Sequence, residues 1–528
     1  MTRLCVPITG ETSRQMIADI ETAANAGAEM IELRLDYLSE WNNDSMKELM
    51  NKARQFGGEV IATCRITDEG GNYKGDENER ITLFELAGQS GADYIDVEYE
   101  TWKRSSELRE KIRALCSLYD SSRSACKLIL SKHNLESTPT DLNALFSELT
   151  LEPCHVVKLA CKARTITDSV RMLEALKQSA AIRPTIGLCM GETGILTRVL
   201  SKKFGALLTF ASLESGRESA PGQISIEQMR SLYRWEAINA ETLVYGVIGC
   251  PVAHSMSPAI HNAAFEAIDY NGVYLPMRVE HDYESFADFI DGCRSLEGMN
   301  LRGCSVTIPH KKHLLQYVEQ HGGDIEPLAL RIGAANTLCI EPTDGESVDR
   351  LGALNTDYRG ALDALCEGIG CDRKRLGKLN VAVLGAGGVS RAIVAGLHDC
   401  GSKVSIYNRT ASKAQALADE FDCTARPWQE RDNLQANAVI NCTSIGMWPK
   451  TENTPLHSRA LSKRTAVFDT VYNPIETRLL HEARRQGCKT VDGVAMFVNQ
   501  AVAQFERWTG RKAPVEIMRQ VVTARLSS

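Results

Sequence analysis

Apolar runs of five to eight residues, separated by stretches of helical periodicity, recur through the first 212 residues: LCVPI (4–8), EMIELRLD (29–36), EVIATCR (59–65), YIDVEYE (94–100), KLILSKH (127–133), HVVKLAC (155–161), TIGLCM (185–190) and ALLTFAS (206–212). Their length and their β-branched and aromatic content read as strands. Most of the segments between them can hold a helix, for example MIADIETAANAGA (16–28) and DSVRMLEALKQSA (168–180). Strand alternating with helix eight times predicts an α/β fold in its (β/α)8 barrel form.

Active sites of that fold lie at the C-terminal ends of the strands, so the polar residues there become the candidates. They are Glu32 and Arg34 in the second strand, Arg65 ending the third, His133 closing the fifth and Lys158 in the sixth, with Arg198 and SAPGQ (219–223) on later connections. Lys158 sits inside an apolar run, HVVKLACKA (155–163). A lysine so placed either snorkels from a strand end to water or is desolvated into an amine able to form an imine with a carbonyl. Convergence with a histidine that can move the adjacent proton, and with arginines that can clamp a carboxylate, favours the imine. Imine-forming dehydratases and aldolases both fit these residues.

The segment QISIEQMRSLYRWEAINAETL (223–243) carries little turn chemistry and predicts a helix closing the barrel, with a linker near residue 240. A second domain starts at VYGVIGCPVAHSMSPAIHNAAFEAI (244–268), where Ser255 and Ser257 precede a helix. They read either as an N-cap or as hydroxyls that hold a carboxylate. LRGCSVTIPHKKHLL (301–315) runs from a strand through Pro309 into a helical pattern that begins near Lys311, while GAANTL (333–338) and LNTDYRGALDAL (354–365) supply Asn336 and Asp357. Alone, Lys311 is an ordinary surface lysine, and an aspartate at a helix start is as readily a cap.

LNVAVLGAGGVSRAIVAGL (379–397) is a buried strand, a glycine-rich turn and a helix, with Gly385, Gly387 and then Ser390 at the G-x-G-x-x-G spacing. Such a turn brings backbone close to a pyrophosphate at a helix N-terminus. The next strand, KVSIYNRTASK (403–413), ends without an acidic residue for a ribose 2′-hydroxyl and offers Asn408, Arg409, Thr410 and Lys413, which suits a 2′-phosphate and therefore NADP(H). The last helical segment sets Met496, Val498, Ala501, Val502 and Phe505 on its apolar face, with Gln500 one turn beyond Met496.

Composition narrows the partners. The 528 residues are 43% apolar and 24% charged, with 60 basic against 67 acidic side chains for a net charge of -7. That balance gives no general affinity for nucleic acid or acidic lipid and leaves small molecules as the default partners. The 17 cysteines contain no C-x-x-C pair and read as reduced thiols of a cytosol-like compartment. The N-terminus has no apolar leader core, and no run approaches a membrane span. A cytoplasmic protein is expected, with a plastid form trimmed of its transit peptide as the alternative.

The stretches EMIELRLD, TCRITDEGG, LSKHNLES, VVKLACKA, TRVLSKKFGALLTFAS and ESAPGQI resemble, in that order, the type I 3-dehydroquinate dehydratase family over nearly all of residues 1–230. The resemblance implies that Lys158 is the Schiff-base lysine, His133 the acid/base and Glu69 the carboxylate that orients it. It also implies that Glu32, Arg34, Arg65, Arg198, Ser219 and Gln223 bind substrate.

HSMSP, SVTIPHK, GAANTL, NTD, GAGGVSRA, NRT, NCTSIGM, DTVYNP and GVAMFVNQA resemble the shikimate dehydrogenase family from residue 243 to about 525. That resemblance implies Lys311 and Asp357 as the catalytic pair, Ser255 and Ser257 at the carboxylate, and Thr307, Asn336, Tyr472 and Gln500 at ring hydroxyls. It implies a cofactor site of Gly385, Ala386, Gly387, Gly388, Val389, Asn408, Arg409, Thr410, Lys413, Thr443, Ser444, Gly446, Met447 and Gly493, and no metal. Met256 and Ser305 depart from the lysine and asparagine common in that family, and the second departure puts one hydrogen bond near the substrate in question.

The order of the two halves matches fused enzymes of plants and some bacteria. The expected domains are a dehydratase barrel over 1–235, a substrate lobe over 243–365, a Rossmann-type NADP-binding lobe over 376–490, and C-terminal helices over 491–528 that return to the substrate lobe. The competing readings are a second half acting on quinate and a catalytically silent metabolite sensor.

Overall fold

The computed structural model describes residues 2–116, 126–343 and 349–527. The chain divides into two compact units, Met1–Val244 with Asn271–Leu301, and Tyr245–Tyr270 with Arg302–Ser528.

In the first unit all eight apolar runs form strands: β1 (Arg3–Ile8), β2 (Met30–Arg34), β3 (Glu59–Thr63), β4 (Tyr94–Glu98), β5 (Lys127–Asn134), β6 (Val156–Lys162), β7 (Thr185–Met190) and β8 (Leu208–Phe210). They order as β7-β6-β5-β4-β3-β2-β1-β8, and every paired neighbour is parallel. Leu207 N donates to Thr185 O at 2.8 Å across the seam between the ends of that order. This is the expected barrel.

Period-two alternation along parallel strands stacks the interior in layers. Cys5, Met30, Ile61, Tyr94, Ile129, Val156, Ile186 and Leu208 pack as one apolar cluster. Two residues further along their strands stand Glu32, Thr63, Asp96, Ser131, Lys158, Leu188 and Phe210. Two further still come Arg34, Arg65, Glu98, His133 and Met190. An oily floor thus carries a charged mouth, with the polar residues lying toward the strands' C-terminal ends.

Two more strands follow, β9 (Leu243–Gly249) and β10 (Gly272–Arg278), and the helix Tyr283–Ser295 packs on the barrel helix Ile166–Ala180. The closing helix expected over 223–243 does not form as one element. A short helical turn ends at Leu232, Arg234 adopts φ 55°, and a separate turn covers Trp235–Ala237. The left-handed backbone breaks the helix, and the Arg234 guanidinium donates to Gly272 O at 2.9 Å.

In the second unit β9 continues into a sheet ordered β9, β11 (Leu301–Val306), β13 (Thr337–Glu341), β14 (Arg350–Leu354) and β12 (Asp324–Ile325). A separate all-parallel sheet runs β17 (Thr424–Pro427), β16 (Lys403–Asn408), β15 (Asn380–Leu384), β18 (Ala438–Asn441), β19 (Ala466–Asp469) and β20 (Lys489–Val491). That order is the doubly wound one, whose ligand crevice opens where the winding reverses, at the carboxyl ends of β15 and β18. The helix Gly493–Thr509 lies on the helix Thr356–Ile369, and Gly360 permits the contact: a Cβ there would stand 2.7 Å from Gln500 N.

Candidate active sites

The nine residues expected at the barrel mouth, Glu32, Arg34, Arg65, Glu69, His133, Lys158, Arg198, Ser219 and Gln223, all line one cavity of about 190 Å³. Lys158 does not snorkel, for it is only 4% exposed. Nor is its amine in an apolar pocket. Nζ donates to Asp96 Oδ2 at 2.8 Å, lies 3.5 Å from Glu32 Oε1, and sits 4.7 Å from the centroid of the Phe210 ring. Asp96 also accepts from Ser131 Oγ at 2.6 Å and pairs with Arg65 Nη2 at 2.8 Å. Burial opposes the charge on Asp96, but Arg65 and Lys158 overcome it and hold the carboxyl well below its usual range.

His133 meets Glu69 twice: its backbone N donates to Glu69 Oε2 at 2.9 Å, and its Nδ1 lies 2.9 Å from the same oxygen. Burial, then the positive charges of Arg65 and Lys158, push the imidazole well below its ordinary value, so it is neutral at pH 7. Burial pushes Glu69 up to about 7. Arg198 is 1% exposed and offers Nη2 to Pro221 O at 3.3 Å, while its Nε and Nη1 have no partner among the described residues. A buried guanidinium with unmet donors, on a residue that lines the cavity, suits an anion. Desolvation pulls it down to about 10, still charged at neutral pH.

In the second unit, Ser255, Ser257, Thr307, Lys311, Asn336, Asp357, Tyr472 and Gln500 line a cavity of about 1000 Å³, together with Val389 and Gly493. Lys311 opens the helix Lys311–Gln320, and its Nζ donates to Asp357 Oδ2 at 2.5 Å. Asp357 is not the cap of its helix: Asn355 is, accepting from Asp357 N at 3.0 Å. That frees the carboxylate, whose Oδ1 accepts from Asn336 Nδ2 at 2.8 Å. Ser255 Oγ accepts from Ser257 N at 3.2 Å just ahead of the helix Ser257–Ala267, whose N-cap is Met256, and both serines line the cavity. Tyr472 stacks on Phe497 at 5.2 Å.

The chain matches the type I 3-dehydroquinase family over residues 4–240. It then matches the shikimate dehydrogenase substrate binding domain over 247–338, shikimate / quinate 5-dehydrogenase over 371–463, and the shikimate 5'-dehydrogenase C-terminal domain over 493–523. It is 37% identical over 98% of its length to the chloroplastic bifunctional 3-dehydroquinate dehydratase/shikimate dehydrogenase of Arabidopsis thaliana, covering 84% of that protein. The chain belongs to this bifunctional family. Its second part alone is 43% identical to the shikimate dehydrogenase (NADP(+)) of Methanocella arvoryzae, over 52% of this chain and 96% of that one. A solved shikimate 5-dehydrogenase from Thermus thermophilus matches 54% of this chain and 99% of its own, at 32% identity and a TM-score of 0.46.

In the dehydrogenase half the expected cofactor residues fall into two groups. Val389 and Gly493 reach the cavity wall. Gly385, Ala386, Gly387 and Gly388 follow β15, Asn408 ends β16 and Arg409, Thr410 and Lys413 follow it, and Thr443, Ser444, Gly446 and Met447 follow β18, all outside that wall. Gly385 takes φ 114°, a conformation that excludes a side chain. Above Gly387 and Gly388 nothing lies within 4 Å of where a Cβ would stand, so open space meets the N-terminus of the helix Gly388–Cys400. Ser390, buried, accepts from Gly387 N at 3.2 Å and fills the third glycine position without strain. Arg409, Thr410 and Lys413 are exposed. This donor set and the open backbone fit a dinucleotide phosphate.

Sequence reasoning missed three residues and the role of a fourth. In the dehydratase half they are Asp96 and Phe210, and YIDVEYE carried the signal, since a carboxylate in an apolar run is the same anomaly as Lys158. In the dehydrogenase half they are Gln504 and the role of Ser305: Ser305 Oγ donates to Gln504 Oε1 at 2.7 Å, and Gln504 Nε2 donates to Thr337 Oγ1 at 3.0 Å. The hydroxyl that replaces the family's usual asparagine is thus tied to a neighbouring helix.

Proposed function

We propose that the protein carries out two consecutive steps: dehydration of 3-dehydroquinate to 3-dehydroshikimate through an imine at Lys158, then NADPH-dependent reduction of 3-dehydroshikimate to shikimate. The observation that carries the first step is the convergence of a buried amine, a neutral histidine and an unpartnered guanidinium on one small cavity.

Arg198 takes the substrate carboxylate and fixes the ring. The Lys158 amine attacks the ketone carbon, and water leaves as the imine forms. His133, its Nδ1 held by Glu69, removes the proton next to the imine carbon and then protonates the departing hydroxyl. A second water hydrolyses the imine, so the net change is loss of one water and return of the free amine. Glu32, Arg34, Arg65, Ser219 and Gln223 fix the remaining substrate oxygens, and Arg65 holds Asp96 against the lysine.

In the second half Ser255 and Ser257 hold the carboxylate, and Thr307, Asn336, Tyr472 and Gln500 hold ring hydroxyls. NADPH, when bound, supplies the hydride. Gly385–Gly388 and the helix that follows cradle its phosphates, with Val389, Thr443, Ser444, Gly446, Met447 and Gly493 around the rest; Asn408, Arg409, Thr410 and Lys413 select the 2′-phosphate. Lys311, aligned by Asp357, gives a proton to the carbonyl oxygen that becomes a hydroxyl.

The functional domains are taken as 1–235, 243–365, 376–490 and 491–528, and the partners as these small molecules alone. No described helix is long and apolar enough to cross a membrane. Among the described residues none of the 17 cysteines is in a disulfide, in keeping with the cytoplasmic reading; the chloroplastic name of the Arabidopsis thaliana relative supports the plastid stroma as the alternative.

One time course tests the reading. With 3-dehydroquinate and NADPH, enone and nicotinamide absorbance are followed together, beside Lys158→Ala. Wild type forms shikimate, and the variant does so only when given 3-dehydroshikimate. A variant that still oxidises NADPH with 3-dehydroquinate makes the second half a quinate dehydrogenase, and an inert wild type makes the chain a sensor.

A further inference from the structure

The mechanism above leaves one buried carboxylate of the second unit without a task. Asp469 closes β19 with no exposed surface. Its partners are neutral: Oδ1 accepts from Asn441 Nδ2 at 2.9 Å and from Val471 N at 3.1 Å, and Oδ2 accepts from Thr477 Oγ1 at 2.7 Å. Burial pushes the carboxyl up to about 6, and these three donors act against that rise.

Each donor governs a segment at the carboxyl edge of the sheet. Asn441 ends β18, and its Oδ1 accepts from Thr443 N at 3.0 Å and Thr443 Oγ1 at 2.7 Å, while its Nδ2 also donates to Ile445 O at 3.2 Å. Asn441 therefore shapes the start of the segment that carries Thr443, Ser444, Gly446 and Met447. Val471 immediately precedes Tyr472, which lines the substrate cavity. Thr477 caps the helix Arg478–Arg485, accepting from Leu480 N at 3.3 Å. Trp448 N donates to Asn473 O at 3.0 Å, so the two segments also touch directly. From the far side Gly493 presses on the second of them: a Cβ there would lie 2.5 Å from Val471 O.

We propose that Asp469 is a positioning residue of the dehydrogenase site, one carboxylate that sets the Thr443–Met447 segment and the Tyr472 segment against each other and so assembles cofactor and substrate contacts together. The inference rests on the dehydrogenase reading above. An amide would keep an oxygen for Asn441 and Val471 but would force the Thr477 hydroxyl, which already accepts from Leu480 N, to turn from donor to acceptor, and the bonds to a charged carboxylate would be lost.

The test uses the full chain carrying Asp469→Asn, Thr477→Val or Thr477→Ser. NADP+ affinity is measured by titration calorimetry without substrate, KM and kcat by reduction of 3-dehydroshikimate, and unfolding temperature and dehydratase turnover on the same preparations. Asp469→Asn is expected to raise both the NADP+ Kd and the KM for 3-dehydroshikimate about tenfold, with a smaller fall in kcat. Thr477→Val raises both to a lesser degree, and Thr477→Ser, which keeps the hydroxyl, returns them toward wild type. Variants that unfold at lower temperature with both constants unchanged reduce Asp469 to a structural group and overturn the proposal. So does a change in one constant without the other. A wild type that neither binds NADP+ nor reduces 3-dehydroshikimate removes the dehydrogenase reading, and this inference with it.

Discussion

Asp96 Oδ2 stands 2.8 Å from Lys158 Nζ, and its other carboxylate oxygen stands 2.8 Å from Arg65 Nη2. One buried anion therefore holds both the amine proposed to form the imine and a guanidinium. Removing it takes the nearest anion from two buried cations, leaving Lys158 with Glu32 at 3.5 Å and Arg65 with Glu98 at 3.4 Å. Asp96→Ala is expected to destabilise the protein by about 3–5 kcal/mol, the cost of breaking a buried ion pair by removing one partner, and to abolish dehydration. Urea unfolding measures the first effect; reduction of 3-dehydroshikimate, which uses a different cavity, should persist. An unchanged urea midpoint would show that the cations are compensated elsewhere. The folded pKa of Asp96 is depressed, so its contribution to stability is present above the ordinary carboxylate range and is lost only as pH falls through the lower folded value.

Glu69 titrates in the opposite sense. Burial raises it to about 7, so the stability it contributes is present below the ordinary carboxylate range and is lost as pH rises through about 7. The ionised form is the one that holds His133 Nδ1–H and leaves the far nitrogen free as a base. Dehydration should therefore speed up with pH through about 7 in wild type. In Glu69→Gln that limb should vanish and the plateau should fall about tenfold. A pH profile of kcat/KM for 3-dehydroquinate, taken on both proteins, decides it; the same limb persisting in the variant assigns it to another group.

The unused donors of Arg198 make an affinity prediction. Arg198→Lys keeps the charge and loses the planar fork, so KM for 3-dehydroquinate should rise about 100-fold, the worth of a charge-assisted bidentate contact in a buried site. Steady-state kinetics checks this, and a KM within error of wild type would move the carboxylate to another arginine.

The residues proposed to choose the cofactor, Arg409 and Lys413, are exposed, so their effect should be correspondingly modest. Arg409→Ala combined with Lys413→Ala is expected to weaken NADPH binding about tenfold with little effect on NADH, because only the first carries the extra phosphate. Raising ionic strength should narrow the wild-type preference, since exposed pairs are screened. Equal losses for both cofactors would mean the residues contact the shared part of the dinucleotide.

The barrel was legible because each of its strands buries an apolar run, and a lysine or histidine interrupting such a run stands out. Asp96 interrupts YIDVEYE in the same way, yet only the register of β4 beside β5 and β6 brings it to Lys158. The helix expected over 223–243 was misjudged because composition does not reveal that Arg234 takes a left-handed backbone. Asp357 was ambiguous in the sequence, and became free for Lys311 once Asn355 was found to cap the helix.

By itself, the sequence determined the alternation that makes a barrel, the glycine turn that opens a nucleotide-binding sheet, and the residue types able to form an imine or move a proton. These are local properties, fixed by side-chain chemistry and by periods of two and 3.6 residues. Tertiary structure alone decided which charges are neighbours: that Asp96 holds Lys158, that Arg198 keeps two donors unused, and that Asp469 gathers segments 28 and eight residues away in the chain. Electrostatic and hydrogen-bonding partners act over a few ångströms of space, and the chain brings such partners together only after strands far apart in sequence have paired.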